Sequence, residues 1–252
     1  MGKAISYRMQ IKWNIKTVEW FWRASEYTGF HKNLAGILLP MMPHSRSLCD
    51  LGCGAGLIDF ALCKKIPEIT CIDIEPGAVH FVQRRIQNKN ITNMRALCED
   101  MHRLSGVWDT VMMVFVGGGA FDIQKQLGLC RDKIILVDRG GCVHNPSVGE
   151  KAGRNRSFLP LIDRLWETDV RYRFSEYTLE YGQPFADRKE IYEYVSFYHK
   201  NPYHTNINEY IEKNIVETGE KQYPFYLPYQ KHFGVFEISK KENRHLLERN
   251  GE

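Results

Sequence analysis

No stretch of the 252 residues approaches the roughly 20 consecutive apolar positions a membrane-spanning helix needs, so the chain is expected to be neither embedded nor anchored. Met1 to Asn14 mixes Lys3, Arg8 and Lys12 with scattered apolar residues, without the apolar core of a secretion signal; a cytoplasmic location is the expectation. Cysteines at 49, 53, 63, 71, 98, 130 and 142 include no C-x-x-C pair. Their odd number and their place in apolar runs point to reduced core residues, with no metal expected. A formal net charge of +4, dispersed along the chain, is too weak a basic signal to expect nucleic acid as a partner.

What the chain does have is Ser47 to Gly56, Ser-Leu-Cys-Asp-Leu-Gly-Cys-Gly-Ala-Gly, with glycines at alternate positions 52, 54 and 56. Leu48 to Leu51 predicts a buried strand. Leu57, Ile58, Phe60, Ala61 and Leu62 predict a helix ending before Pro67. A glycine turn between strand and helix permits positive φ and lets a ligand approach the main chain, with helix-start amides facing it. A dinucleotide fingerprint, G-x-G-x-x-G, needs glycine at 57, where this chain has Leu57, so a nicotinamide-dependent oxidoreductase is the weaker reading.

Asp-Leu-Gly-Cys-Gly-Ala-Gly resembles the first motif of class I S-adenosylmethionine-dependent methyltransferases, which places Asp50, Gly52, Cys53 and Gly54 at the cofactor. Downstream, the apolar run Ile69 to Ile74 contains Asp73, 23 residues past Asp50. A carboxylate at the end of a second strand can accept both ribose hydroxyls of an adenosine cofactor. The resemblance puts Asp73 in that role and Ile74 beside the adenine, with Glu75 the competing acid or a helix N-terminal residue ahead of Pro76. A third run, Met94 to Cys98, leads to Asp100 and Met101, which the resemblance assigns to the adenine amino group and a ring nitrogen. In a fourth, Asp109 to Val116, Phe115 would lie near the sulfonium. Val116, Gly117, Gly118 and Gly119 stand where amino-group methyltransferases of DNA often carry Asn or Asp, Pro, Pro and an aromatic.

Strand and helix patterns alternate from residue 47 to 138, the signature of a parallel sheet with helices on both faces. The family implies a seven-stranded, mostly parallel Rossmann-like sheet, its last strand at Phe233 to Ile238. Residues 1–45 then form an N-terminal helical cap, 46–182 and 230–252 the cofactor-binding domain, and 183–229 a helical insertion. Tyr27, Phe30, His31 and Lys32 are the cap residues nearest the core domain. The insertion, with helices expected at 188–198 and 207–216 and many tyrosines, reads as a substrate lid, a homodimer element or plain packing. The implied activity is methyl transfer by in-line displacement, S-adenosylmethionine to S-adenosylhomocysteine, with a small-molecule acceptor by default. No catalytic residue is assigned; His31, His102 and His144 lie in segments that could face the pocket but read better as surface or structural. A non-catalytic cofactor-binding or interaction protein would keep the same motifs.

Overall fold

The computed structural model describes residues 15–116, 121–140, 158–198 and 206–248; Trp13, Gly117 to Gly119 and His144 lie outside them. The apolar runs form a central sheet from β1 (Ser47–Leu51), β2 (Glu68–Asp73), β3 (Met94–Cys98), β4 (Trp108–Val114), β5 (Cys130–Arg139), β6 (Arg173–Glu180) and β10 (Gln230–Ser239). Their order is β3-β2-β1-β4-β5-β10-β6. β1 to β5 pair in parallel, and β10 runs antiparallel between β5 and β6. The mostly parallel seven-stranded sheet is thus present, with the last strand inserted next to the fifth.

Connections follow local chemistry. Gly56, at φ 68, starts α3 (Leu57–Leu62), which buries Ile58 and Leu62 and stops well before Pro67. Pro76 opens α4 (Pro76–Asn88), whose Ala78, Val79 and Val82 are buried at helical spacing. Asp122 caps α5 (Ile123–Leu129) by accepting the Lys125 amide. Behind the sheet α6 (Leu159–Glu167) buries Leu161 and Leu165. Two apolar cores result, one per sheet face; Leu48, Ile69, Met112 and Val235 face one, and Cys49, Val111, Ile134 and Phe236 the other.

The N-terminal segment is two helices, α1 (Ile15–Thr28) and α2 (Phe30–Leu38), separated by Gly29 at φ 68. Phe30, Leu34 and Leu38 are fully buried along one stripe of α2. In α1, Trp22 packs on Phe60 of α3 and Phe81 of α4, and the Arg85 guanidinium stacks on it 3.2 Å from the ring centroid.

Between β6 and β10 the chain forms the two expected helices, α7 (Arg188–Tyr198) and α8 (Ile207–Asn214), the second two residues shorter than its sequence pattern. It also forms a three-stranded antiparallel sheet of β7 (Gln183–Phe185), β8 (Val216–Glu217) and β9 (Phe225–Leu227), so the insertion is not purely helical. Strands of two or three residues are too short to show an alternating pattern; pairing across some forty residues makes them. Phe185, Ile191, Val195 and Leu227 form this unit's own buried cluster. α1 is bound to it: Glu190 accepts from the Arg23 guanidinium at 2.6 Å and the Trp20 indole N–H at 3.2 Å, and Trp20 packs edge-on against Tyr194 and Phe197. Further along, Tyr27 donates to Glu220 and meets Tyr223 and Tyr226. Among the described residues no helix is long and apolar enough to cross a membrane.

Candidate functional site

Strand order reverses at β1, since the chain moves outward through β2 and β3 and then returns to place β4 on the other side. Ligands bind such sheets beyond the carboxyl ends of the strands at this switch point. There β1 ends in the glycine turn, with Gly52 at φ 81, Gly54 at φ 55 and Gly56 at φ 68. A Cβ on Gly52 would meet Val116 Cγ2 at 2.7 Å, so the end of β4 lies directly against the turn.

Asp73, half-buried at the end of β2, closes the turn from the other side. Its Oδ2 accepts the Gly54 amide at 2.7 Å and its Oδ1 the Glu75 amide at 2.9 Å. The Ile72 carbonyl takes the Gly52 and Cys53 amides at 2.7 and 2.9 Å, and the Gly56 amide donates to the Cys53 carbonyl. These amides are therefore spent inside the protein. The turn itself offers a ligand its Cα surface more than its donors. Each Asp73 oxygen keeps a lone pair for a hydroxyl group. Beside it Ile74 is 57% exposed, a bare aliphatic surface at the mouth of the crevice.

The Glu99 amide donates to the Asp73 carbonyl at 3.1 Å, bringing the end of β3 alongside. Asp100 is half-buried and its Oδ1 accepts the His102 amide. Met101 is half-buried, and its amide has no acceptor among the described residues. A carboxylate and an open amide side by side can read a donor and an acceptor on one heteroaromatic edge. Gly52, Cys53, Gly54, Asp73, Ile74, Asp100, Met101 and Phe115 thus gather at one end of the sheet.

Asp50 stands apart from them. It is 1% exposed and its carboxyl packs against that of fully buried Asp59 on α3, beneath the turn. Asp50 Oδ1 and both Asp59 oxygens lack a hydrogen-bond donor. Burial, then the neighbouring Asp59, pushes the Asp50 carboxyl well above the usual range; burial raises Asp59 to about 6. The two carboxyls share a proton near neutral pH. Asp59 escapes a sequence reading because it interrupts an apolar helix; the one signal was an acid within a run otherwise destined for the core.

Phe115, just beyond β4, holds φ 57, unusual for a bulky residue, and donates its amide to Val137 at 2.8 Å. Its ring meets fully buried Phe30 and Phe233 at centroid distances of 6.3 and 5.9 Å. Tyr181 stacks on Phe30 at 4.4 Å, and the Lys231 ammonium lies 3.6 Å from the Phe115 centroid. His31 lies against Tyr181 and Phe30 with Nδ1 2.7 Å from Ser25 Oγ. Burial, reinforced by the Lys231 charge, lowers its pKa to about 3, so its ring is neutral. Lys32 and His102 are exposed. Tyr181 and Lys231, not foreseen beside Phe115, come from the end of β6, where the sequence pattern of Tyr177 to Tyr181 reads as strand, and from the start of β10, just ahead of the expected last strand. A separate cavity of about 490 Å³, lined by Ile37, Met41, Lys133, Arg173, Tyr177 and Glu237, opens at the opposite end of the sheet, away from these groups.

Residues 48–131 match the family model of a methyltransferase domain. No curated protein matches the chain in sequence. In fold it is similar to the YcgJ protein of Bacillus subtilis, with 14% identity, a TM-score of 0.52, and coverage of 83% of this chain and 98% of that one. It is likewise similar to an S-adenosylmethionine-dependent methyltransferase from Aquifex aeolicus, at 13% identity and a TM-score of 0.52, covering 90% of this chain and 99% of that one.

Proposed function

We propose that the chain, whose residues 48–131 match the model of a methyltransferase domain, is an active class I S-adenosylmethionine-dependent methyltransferase that methylates a small-molecule acceptor. The observation that carries the cofactor assignment is Asp73, whose carboxylate clasps the Gly54 amide at the switch point of the sheet while keeping lone pairs turned outward. Bound there, S-adenosylmethionine supplies an electrophilic sulfonium methyl for in-line displacement. Asp73 would hold the ribose hydroxyls, Asp100 and the Met101 amide the adenine edge, and exposed Ile74 the adenine face. Gly52, Cys53 and Gly54 form the floor under the methionine moiety, where a side chain at 52 would collide with Val116. Asp50 supports that floor from below.

The residues beside Phe115 do their work by placement. Phe115 and Tyr181, backed by the fully buried Phe30 ring, exclude water and fix the acceptor against the methyl in this reading, a contribution worth up to roughly 7 to 11 kcal/mol when alignment is complete. Neutral His31 is an uncharged wall here; with its pKa lowered to about 3 it is a weak base at neutral pH. The insertion, tied to α1 through Glu190 and Tyr27, covers the acceptor side in this reading, which favours a small acceptor over a polymer.

Calorimetric titration with S-adenosylmethionine and S-adenosylhomocysteine tests the proposal. Micromolar binding is expected, weakened about 10- to 100-fold in Asp73→Ala, since one charged acceptor of two hydroxyls is lost. No binding by folded wild-type protein would overturn the assignment. Binding without transfer of labelled methyl to any component of a small-molecule extract would leave a binding protein, not an enzyme.

A further inference from the structure

The cavity of about 490 Å³ at the end of the sheet opposite the glycine turn has the volume of a small-molecule pocket and belongs to no site described so far. Two layers build it. α2 and the single 3-10 turn that follows, Leu39–Met41, supply Ile37, Pro40 and Met41, and Pro43 lies just beyond. β5, β10 and β6 supply Lys133, Glu237, Arg173 and Tyr177 from the facing sheet. Phe30, Leu34 and Leu38 seat α2 in the core, while Gly36 beside them borders open space: a Cβ there would meet nothing within 4 Å.

Charge on this wall is unevenly satisfied. The Lys133 ammonium, 14% exposed, donates to Glu237 Oε1 at 2.7 Å and to the Met41 carbonyl at 2.8 Å, which ties the two layers together. Arg173 is the register partner of Glu237 across β6 and β10, yet that carboxylate is taken by Lys133. Among the described residues nothing accepts a hydrogen bond from the Arg173 guanidinium, and the Tyr177 hydroxyl is equally without a partner. A planar fork of five donors is thus left open at the rim of an apolar hollow.

We propose that this cavity binds a small monocarboxylate with an apolar body, its carboxylate held by the Arg173 guanidinium and the Tyr177 hydroxyl and its body lying against Ile37, Pro40 and Met41. The sign of the charge decides the class. Lys133 and Arg173 against Glu237 leave the lining with one positive charge in excess. A cationic ligand would meet Arg173 while the one acid of the lining is already engaged by Lys133. A neutral molecule would gain the apolar contacts alone. A monocarboxylate gains both, through the bidentate geometry that a guanidinium offers. One excess charge also matches a monoanion better than a phosphate dianion.

The test uses the full-length protein and three probes of similar shape: 2-naphthoate, 2-naphthamide and 2-naphthylmethylamine. Calorimetry or ligand-observed NMR should rank the naphthoate at least about tenfold tighter than the amine, with the amide between them. Arg173→Met, which removes the charge and keeps an apolar stem, should bring the naphthoate and the amine within about threefold of each other; Arg173→Lys should keep part of the preference. Gly36→Phe fills the hollow from α2, at a helical position where a side chain is tolerated, and should weaken the naphthoate at least about tenfold. Thermal unfolding of the variants should match that of wild type, which shows that the fold survives. Equal or better binding of the amine, failure of all three probes to bind wild type, an unchanged preference in Arg173→Met, or undiminished naphthoate binding in a folded Gly36→Phe would each overturn the proposal. Failure of the methyl-transfer reading shows separately, as absence of S-adenosylhomocysteine binding, and leaves this ranking untouched.

Discussion

The carboxyl pair beneath the glycine turn makes stability depend on pH in a direction opposite to that of most paired acids. At neutral pH the folded protein holds one proton between Asp50 and Asp59, because burial and the neighbouring acid keep Asp50 well above the ordinary carboxylate range and Asp59 ionises at about 6. In the unfolded chain both carboxyls are ionised above about pH 5. Folding therefore takes up a proton. A raised folded-state pKa means that the contribution is complete in acid and is lost as pH rises from the unfolded carboxylate value toward the folded one. The slope for one full proton is about 1.4 kcal/mol per pH unit, which sets the upper limit of what the pair removes between pH 6.5 and 7.5. Against a total of roughly 5–15 kcal/mol that change is measurable.

Asp50→Asn isolates it. The amide keeps the shape of the side chain, needs no proton, and can donate to the unpartnered Asp59 oxygens. Asp59, in the first turn of α3 where the helix N-terminus favours a negative charge, then ionises without a competing acid. Urea unfolding of wild type and Asp50→Asn at pH 6.5, 7.0 and 7.5 should show stability falling with pH in wild type and that component nearly absent in the variant. Histidine titration is common to both proteins and cancels in the difference. Equal slopes would refute the shared proton, and a variant that loses stability relative to wild type as pH rises would refute the sign.

Gly52→Ala forces a side chain into φ 81 and onto Val116 at 2.7 Å; a loss of about 1–3 kcal/mol in urea unfolding is expected, with only the collision relieved by a second change, Val116→Ala. A full rescue by Val116→Ala would mean that backbone strain contributes nothing. Arg23 and Glu190 lie 2.6 Å apart with both side chains 16% exposed, so a double-mutant cycle with alanine should return a coupling of about 1–2 kcal/mol. Coupling under about 0.3 kcal/mol would show that α1 and the insertion are held by their aromatic contacts instead.

Local signals in the sequence were enough for the central sheet. Alternating glycines, a carboxylate at the end of the next apolar run and largely alternating strand and helix patterns are features of neighbouring residues, and the structure places Asp73, Asp100 and Phe115 at the same end of that sheet. The aromatic cluster around Phe115 is different in kind. It joins Phe30 to Tyr181 and Lys231, and Arg23 meets Glu190 across 167 positions, so each contact is created by topology. Lys231 sits in a polar triplet, Gln230 to His232, that hides its place on a core-facing strand. Asp50 reads as a motif residue, yet its partner Asp59 is identified only when β1 and α3 are packed together.

The N-terminal helices link these two kinds of information. Trp22 is fixed by Phe60, Phe81 and the Arg85 guanidinium on the cofactor-side helices, while Trp20 and Arg23, within a turn of it, are fixed by the insertion. Past Gly29, Phe30 reaches the ring of Phe115 beside the glycine turn. One short segment therefore touches α3 and α4, the insertion and the Phe115 ring. Any rearrangement of the insertion must either break the Glu190 bonds or carry α1 with it. Because Trp22 is buttressed on the other flank, carrying α1 disturbs α3, the helix whose first turn follows Gly56. Movement of the insertion and order in the glycine turn are mechanically coupled through α1, and the Arg23–Glu190 pair is the contact at which that coupling is perturbed without touching the turn.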